Sequence, residues 1–242
     1  MRYGLELGYP MVDTAEMYGE GKAEEIVGEA IKGLGKRPYI VSKVYPHNAT
    51  RSGTVAACER SLKRLGIERI DLYLLHWRGS IPLAETLAGF VQLRRDGKIR
   101  HYGVSNFDRA DMAELVALQG GDTVAADQVL YNLSRRSPEW DLVPWCRERG
   151  IAIIAYTPLG QGGLLRDRTL VEIARRRNAT PAQVALAWLL RQEGMIVIPK
   201  AARLEHVRDN RGALDVVLTA EDRSALDRAF PPPKGKSALG ML

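Results

Sequence analysis

Residues 70–76 read IDLYLLH, an apolar run of strand character that ends on an imidazole. The same form recurs at PMVDT (10–14), YIVSK (39–43), IRHYGVS (99–105), TVAADQV (123–129), IAIIAYT (151–157) and MIVIPK (195–200). Runs this rich in Val, Ile, Leu and Tyr suit strands covered on both faces. Between them lie amphipathic patterns at 22–32, 51–65, 82–95, 108–118, 138–149, 168–177 with 181–192, 203–211 and 219–229, each with the spacing of a helix. Such alternation predicts a parallel sheet clothed by helices. Thr180-Pro181 ahead of AQVALAWLLRQ offers a cap and a first-turn proline, and Thr219 leads into AEDRSALD with acids in the first turn. Hairpin signals are scarce, which argues against an antiparallel sandwich.

A closed parallel barrel needs eight strands, and seven are visible. An open doubly wound sheet is the alternative, and the polar strand ends decide between them. An open sheet concentrates its chemistry at one switch point, whereas a barrel gathers it from many strand ends. Here the polar residues stand at all seven ends, so the reading is an α/β fold, a (β/α)8 TIM barrel whose first strand is absent. The opening MRYGLELGYP reads as the last turns of a helix already under way. A single domain over 1–242, N-terminally truncated, is therefore expected, its natural form longer by about 30–40 residues, enough for a strand, a connection and the start of a helix.

Composition narrows the function. Of 242 residues, 45% are hydrophobic and 26% charged, as in ordinary globular proteins. A signal segment and an apolar run near the roughly 20 residues of a membrane span are both lacking, so a cytoplasmic location is expected. The net charge of +6 raises nucleic acid as a partner, but Lys and Arg are scattered among acids without interleaved aromatics, which argues against it. Cys58 and Cys146 match no metal-ligand spacing, and no metal is expected.

Four strand-end residues form one coherent set: Asp13, Tyr18 five residues on in a Gly-flanked loop, Lys43 and His76. A phenol with its ordinary pKa near ~10 is a poor acid at neutral pH, and an ammonium beside it, held by a carboxylate, stabilises the phenolate. An acid, a phenol, an ammonium and an imidazole on neighbouring strands thus suit protonation of a carbonyl oxygen. Tyr45, His47 and Trp77 follow closely and are expected to line an aromatic substrate pocket. His47 and His101 read as non-catalytic.

The stretches VDTAEMYGEGKAEEIVGEAI, VSKVYP, DLYLLHW, GKIRHYGVSNF, DQVLYNL, AYTPLGQGGLL and IPKAARLEHVRDN span nearly the whole chain. In them the chain resembles the aldo-keto reductases, nearest to the bacterial methylglyoxal-reductase branch. That resemblance implies a barrel with an extended nicotinamide cofactor and no glycine-rich Rossmann turn. It implies an NADPH-dependent oxidoreductase that reduces small aldehydes or ketones, methylglyoxal-like, by hydride transfer, with Tyr18 as proton donor, Lys43 and Asp13 tuning it, and His76 positioning the carbonyl. Ser105, Asn106 and Gln128 would hold the carboxamide and Tyr156 would stack on the ring. Leu159, Gln161 and Gly162 would pass the pyrophosphate, while Pro199, Lys200, His206 and Asn210 would meet the adenosine end. Ala201 and His206 stand where strong NADPH binders often carry Ser or Thr and an Arg, so NADH is the alternative cofactor, with Lys200 and Arg203 favouring NADPH. The short tail after Phe230 suits small substrates. A monomer is expected, unless another chain covers the open barrel edge. The competing reading is a cofactor-binding, non-catalytic or regulatory member of the family.

Overall fold

The computed structural model describes residues 1–241. The chain divides into two compact units, Met1–Asp127 and a second that begins at Gln128. Among the described residues seven strands follow one another in chain order across one sheet. Sequential strands with helices between them give the topology of a (β/α)8 barrel with seven of its eight strands.

In the first unit the elements are α1 (Arg2–Glu6), β1 (Met11–Asp13), α2 (Lys22–Ile31), β2 (Tyr39–Val44), α3 (Arg51–Leu65), β3 (Ile70–Leu75), α4 (Leu83–Arg95), β4 (Ile99–Ser105) and α5 (Arg109–Ala117). Neighbouring strands β1 to β4 pair in parallel. Every residue of β3 is buried, which explains why IDLYLL shows no polar alternation. The helices cover this apolar surface. Phe90 of α4, 2% exposed, lies against Tyr102 with ring centroids 5.2 Å apart and meets Tyr73 edge-on at 6.0 Å. Truncation of a buried phenylalanine to alanine costs about 3–5 kcal/mol, so this cluster is a principal anchor of α4 on the sheet. Helix α3 starts where Thr50 accepts a hydrogen bond from the Gly53 N–H and stops at Gly66 in the left-handed region.

Strand β5 (Ala126–Leu130) begins three residues later than TVAADQV implies. Gly121–Thr123 forms a 3-10 turn instead, with Thr123 Oγ1 donating to the Gly120 carbonyl at 3.0 Å. The β-branched Thr and Val are turn residues here because that local bond competes with a ladder. The second unit continues with α6 (Leu142–Glu148), β6 (Ala152–Tyr156), α7 (Arg168–Arg176), α8 (Pro181–Leu190), β7 (Met195–Ile198), α9 (Leu204–Gly212) and α10 (Ala220–Ala229). The pattern at 138–149 contains a 3-10 turn, Ser137–Glu139, before α6, so the helix is shorter than its periodicity suggests. Thr180 and Thr219 both form capping boxes, with Gln183 and Asp222. Strands β6 and β7 pair in parallel. Among the described residues no helix is long and apolar enough to cross a membrane.

Candidate active site

Strand register assembles the first half of the site. Asp13 stands opposite Val41, Lys43 opposite Leu74, and Leu74 opposite Gly103. Residues two apart on a strand share a face. Lys43 therefore rises one step above Asp13, and His76 and Ser105 rise one step above Leu74 and Gly103, all on one face. The His76 N–H continues the ladder by donating to the Val44 carbonyl at 3.0 Å. Gly103 is required by close packing, since a Cβ there would stand 2.4 Å from the Ala126 carbonyl oxygen and 2.8 Å from Leu74 Cδ2.

Lys43 is fully buried, and its ammonium meets three acceptors: Asp13 Oδ1 at 2.6 Å, the Thr14 carbonyl at 2.8 Å and the Tyr18 hydroxyl at 3.4 Å. An ammonium has three protons and no acceptor, so this set uses all of them. The Tyr18 oxygen accepts from Lys43 and keeps its own proton for another partner. Tyr18 itself is 37% exposed. His76 packs edge-on against the Tyr18 ring, centroids 5.7 Å apart. Its Nδ1 is buried without a hydrogen-bond partner among the described residues. Burial, with the Lys43 charge adding, lowers the His76 pKa to about 3, so the imidazole is neutral at physiological pH.

Two buried carboxylates fix the segments around this set. Glu24 at the start of α2 accepts from Ser42 Oγ at 2.5 Å and from Arg64 Nε at 2.7 Å, tying the helix after the Tyr18 loop to the strand that carries Lys43. The preceding Gly21 has φ 91, and a Cβ there would meet Arg64 Nε at 2.6 Å. Glu16 accepts from the Tyr45 N–H at 2.8 Å and from Asn48 Nδ2 at 3.0 Å. That turn presents an aromatic wall, with Tyr45 tilted on His47 at 4.6 Å and perpendicular to Trp77 at 6.0 Å. Beside the wall, Asn106 takes the left-handed φ of 61 and donates to the His76 carbonyl at 3.2 Å and to Ser105 Oγ at 3.1 Å.

In the second unit, Gln128 is buried within β5. Tyr156, half-buried, ends β6, and its carbonyl accepts from the Tyr131 N–H at 3.4 Å. Leu159 leads into a turn, Gly160–Arg166, where Gln161 and Gly162 both have positive φ. Pro199 and the exposed Lys200 follow β7, and His206 and Asn210 lie four residues apart on α9, a spacing that gives them a common face. Arg203 is engaged by Glu205, and His206 Nε2 lies 3.6 Å from the same carboxylate. No salt bridge engages Lys200 among the described residues.

The expected catalytic four thus come together in the first unit, with the aromatic wall beside them. The others fall at the ends of β4, β6 and β7, in β5 and on α9. Sequence reasoning missed Glu16, Glu24, the Thr14 carbonyl and Glu205. A hydroxyl in the middle of YIVSKV was the one signal that a buried partner such as Glu24 existed. Taken unit by unit, the groups are of the kind a nicotinamide dinucleotide needs: in the first, a hydroxyl and an amide at the end of β4; in the second, an amide on β5, an aromatic ring at the end of β6, a turn with left-handed Gly160, Gln161 and Gly162, and an exposed lysine after β7.

Comparison with known proteins supplies an independent line. The model for the "Aldo/keto reductase family" matches residues 1–230. Methylglyoxal reductase YeaE of Escherichia coli is 48% identical over 247 residues, covering 100% of this chain and 87% of that protein. Glyoxal reductase of Bacillus subtilis is 36% identical over 230 residues, covering 94% and 81%. A crystal structure of an aldo-keto reductase from Klebsiella pneumoniae in complex with NADPH superposes with a TM-score of 0.97 at 47% identity, covering 100% of this chain and 87% of that one.

Proposed function

The chain belongs to the aldo/keto reductase family, and from that membership we propose that it reduces small aldehydes and ketones with NADPH, acting as a monomer in the cytoplasm, and that methylglyoxal-like dicarbonyls are its substrate class. The observation that carries the reading is the Lys43 ammonium 2.6 Å from Asp13 and 3.4 Å from the Tyr18 hydroxyl. When bound, the nicotinamide supplies the electron pair and hydrogen that reach the carbonyl carbon. Tyr18 delivers the proton to the carbonyl oxygen. Lys43, held by Asp13, stabilises the phenolate that remains.

His76, neutral at working pH, orients the carbonyl through its ring edge. On the family pattern Ser105, Asn106 and Gln128 would hold the carboxamide, Tyr156 would stack on the ring, and the Leu159–Gly162 segment would meet the pyrophosphate. Lys200 would pair with the adenosine phosphate. The names of the relatives support the substrate class, and the Klebsiella complex supports the cofactor. Tyr45 and Trp77 make a wall that suits a small, flat carbonyl compound.

The test is NADPH oxidation with methylglyoxal by the wild type and by Tyr18→Phe. General acid catalysis is worth ~10²–10⁴-fold, so the variant should lose turnover by about that factor while binding NADPH as well as the wild type. Undiminished turnover would remove Tyr18 from the mechanism.

A further inference from the structure

Thr157 is the most strained backbone position near the candidate site. It is β-branched, has φ 51, and directly precedes Pro158. Branched residues rarely adopt positive φ, and a following proline pushes its predecessor toward extended backbone. Something must hold Thr157 there.

Asn132, 1% exposed, makes that contact. Its Nδ2 donates to the Thr157 carbonyl at 2.9 Å, and the Gly160 N–H donates to the same oxygen at 3.1 Å, so both lone pairs are used. The other end of the Asn132 amide is committed as well, since its Oδ1 accepts from the Ser134 N–H at 2.9 Å. A backbone N–H only donates, which fixes the orientation of the amide. The Asn132 backbone is pinned to Arg135 in both directions, at 3.3 and 2.9 Å. One residue earlier, the Tyr131 N–H donates to the Tyr156 carbonyl at 3.4 Å. Tyr131 and Asn132 thus grip successive carbonyls at the Tyr156–Thr157 step.

We propose that Asn132 is a positioning residue that sets the direction of the Tyr156 ring by holding Thr157 in the left-handed region. Asn132 touches no reacting atom and acts through Tyr156, so the inference rests on the reading of Tyr156 as the cofactor's stacking platform. The strain at Thr157 turns the chain sharply at the strand end and sets the path of the backbone that carries the ring. Without the side-chain amide, Thr157 relaxes toward extended backbone and the ring turns away.

The experiment compares NADPH affinity, read from quenching of intrinsic fluorescence, in wild type, Asn132→Ala, Thr157→Gly and the double variant, with melting temperatures taken alongside. Asn132→Ala should weaken NADPH by about tenfold, the scale of one lost aromatic stack. Thr157→Gly alone should bind close to wild type. The double variant should recover most of the lost affinity, because glycine reaches positive φ without steric cost. A hydrogen bond of purely structural value gives no such rescue, and a double variant no better than Asn132→Ala overturns the proposal. If Asn132→Ala does not fold, Asn132→Asp keeps the acceptor for Ser134, loses the donor to Thr157, and is compared in the same two backgrounds. Tyr156→Ala separates the premises. If it leaves NADPH affinity unchanged, the stacking role falls; if it weakens NADPH while Asn132→Ala does not, the stacking role stands and the positioning role falls.

Discussion

The backbone N–H of Tyr45 donates to Glu16 Oε1 at 2.8 Å, so the loop that holds Tyr18 and the turn that holds the aromatic wall share one carboxylate. Glu16→Ala strips an acceptor from the Tyr45 N–H and from Asn48 Nδ2, each loss costing about 1–3 kcal/mol when buried. The expected outcome is a KM for a small aldehyde raised by about tenfold, with kcat changed less, since the wall moves and the proton donor does not. Steady-state kinetics at saturating NADPH measures the split. An unchanged KM would mean that the turn keeps its place without Glu16.

Lys43→Met removes the donor to the Tyr18 hydroxyl and leaves the Asp13 carboxylate without its cation. Turnover should fall by ~10²–10⁴-fold, the range of general acid catalysis. Asp13→Asn keeps the ammonium and should cost less. The pH profile of reduction should change shape in both variants, and profiles superimposable on the wild type would exclude the coupling.

Asp127 is fully buried, and among the described residues neither carboxylate oxygen has a partner of hydrogen-bond geometry. Burial pushes its pKa well above the usual carboxylate range, the charges of Asp111 and Asp108 push the same way, and the nearby Phe107 N–H offsets this only in part. The folded state therefore holds a proton that the unfolded chain releases near pH ~4. Stability attributable to Asp127 is intact below that pH and declines as pH rises toward the folded-state value, by about 1.4 kcal/mol per pH unit. Asp127→Asn should remove this decline. Urea unfolding at pH 5 and pH 8 measures it, and an equal pH dependence in both proteins would show that Asp127 is not the group responsible.

Glu205 competes with any phosphate for Arg203 and His206. Glu205→Gln should release both and raise the affinity for NADPH relative to NADH, and His206→Arg should do so further, because a guanidinium offers a planar fork of donors for charge-assisted bonds to phosphate that an imidazole lacks. The ratio of the two dissociation constants is the measurement. A ratio unmoved by both substitutions would mean that this face of α9 does not meet the adenosine end.

Asp13, Lys43 and His76 were legible because each ends an apolar run, where burial on both faces leaves a polar residue only one place to go, and Tyr18 because it stands in the Gly-flanked loop after Asp13. The strands themselves were readable for the same reason, and Thr180 and Thr219 announced their helices through capping chemistry. The buried carboxylates were not legible. Glu16 and Glu24 look like solvent charges in AEMYGEGKAEE, because their acceptor roles depend on partners about 30 to 40 residues away, Tyr45, Asn48 and Arg64, that only the folded chain brings near. The start of β5 was misread because Thr123 and Val124 have strand character, while the bond from Thr123 to the Gly120 carbonyl is a local competitor that hydrophobic pattern does not register.

The stepwise register of β1 to β4 also governs what insertions and deletions the protein tolerates. A residue gained or lost in a loop is absorbed there, whereas one gained or lost inside β2 upstream of Lys43 reverses the face of everything that follows in the strand. The ammonium would then point into the helices, with no acid to receive it and no phenol to serve. Lineages that diversify this scaffold should accordingly vary the lengths of the connections while keeping the residue count of each of these strands constant, and a library built on random single-codon deletions should find its survivors in the loops.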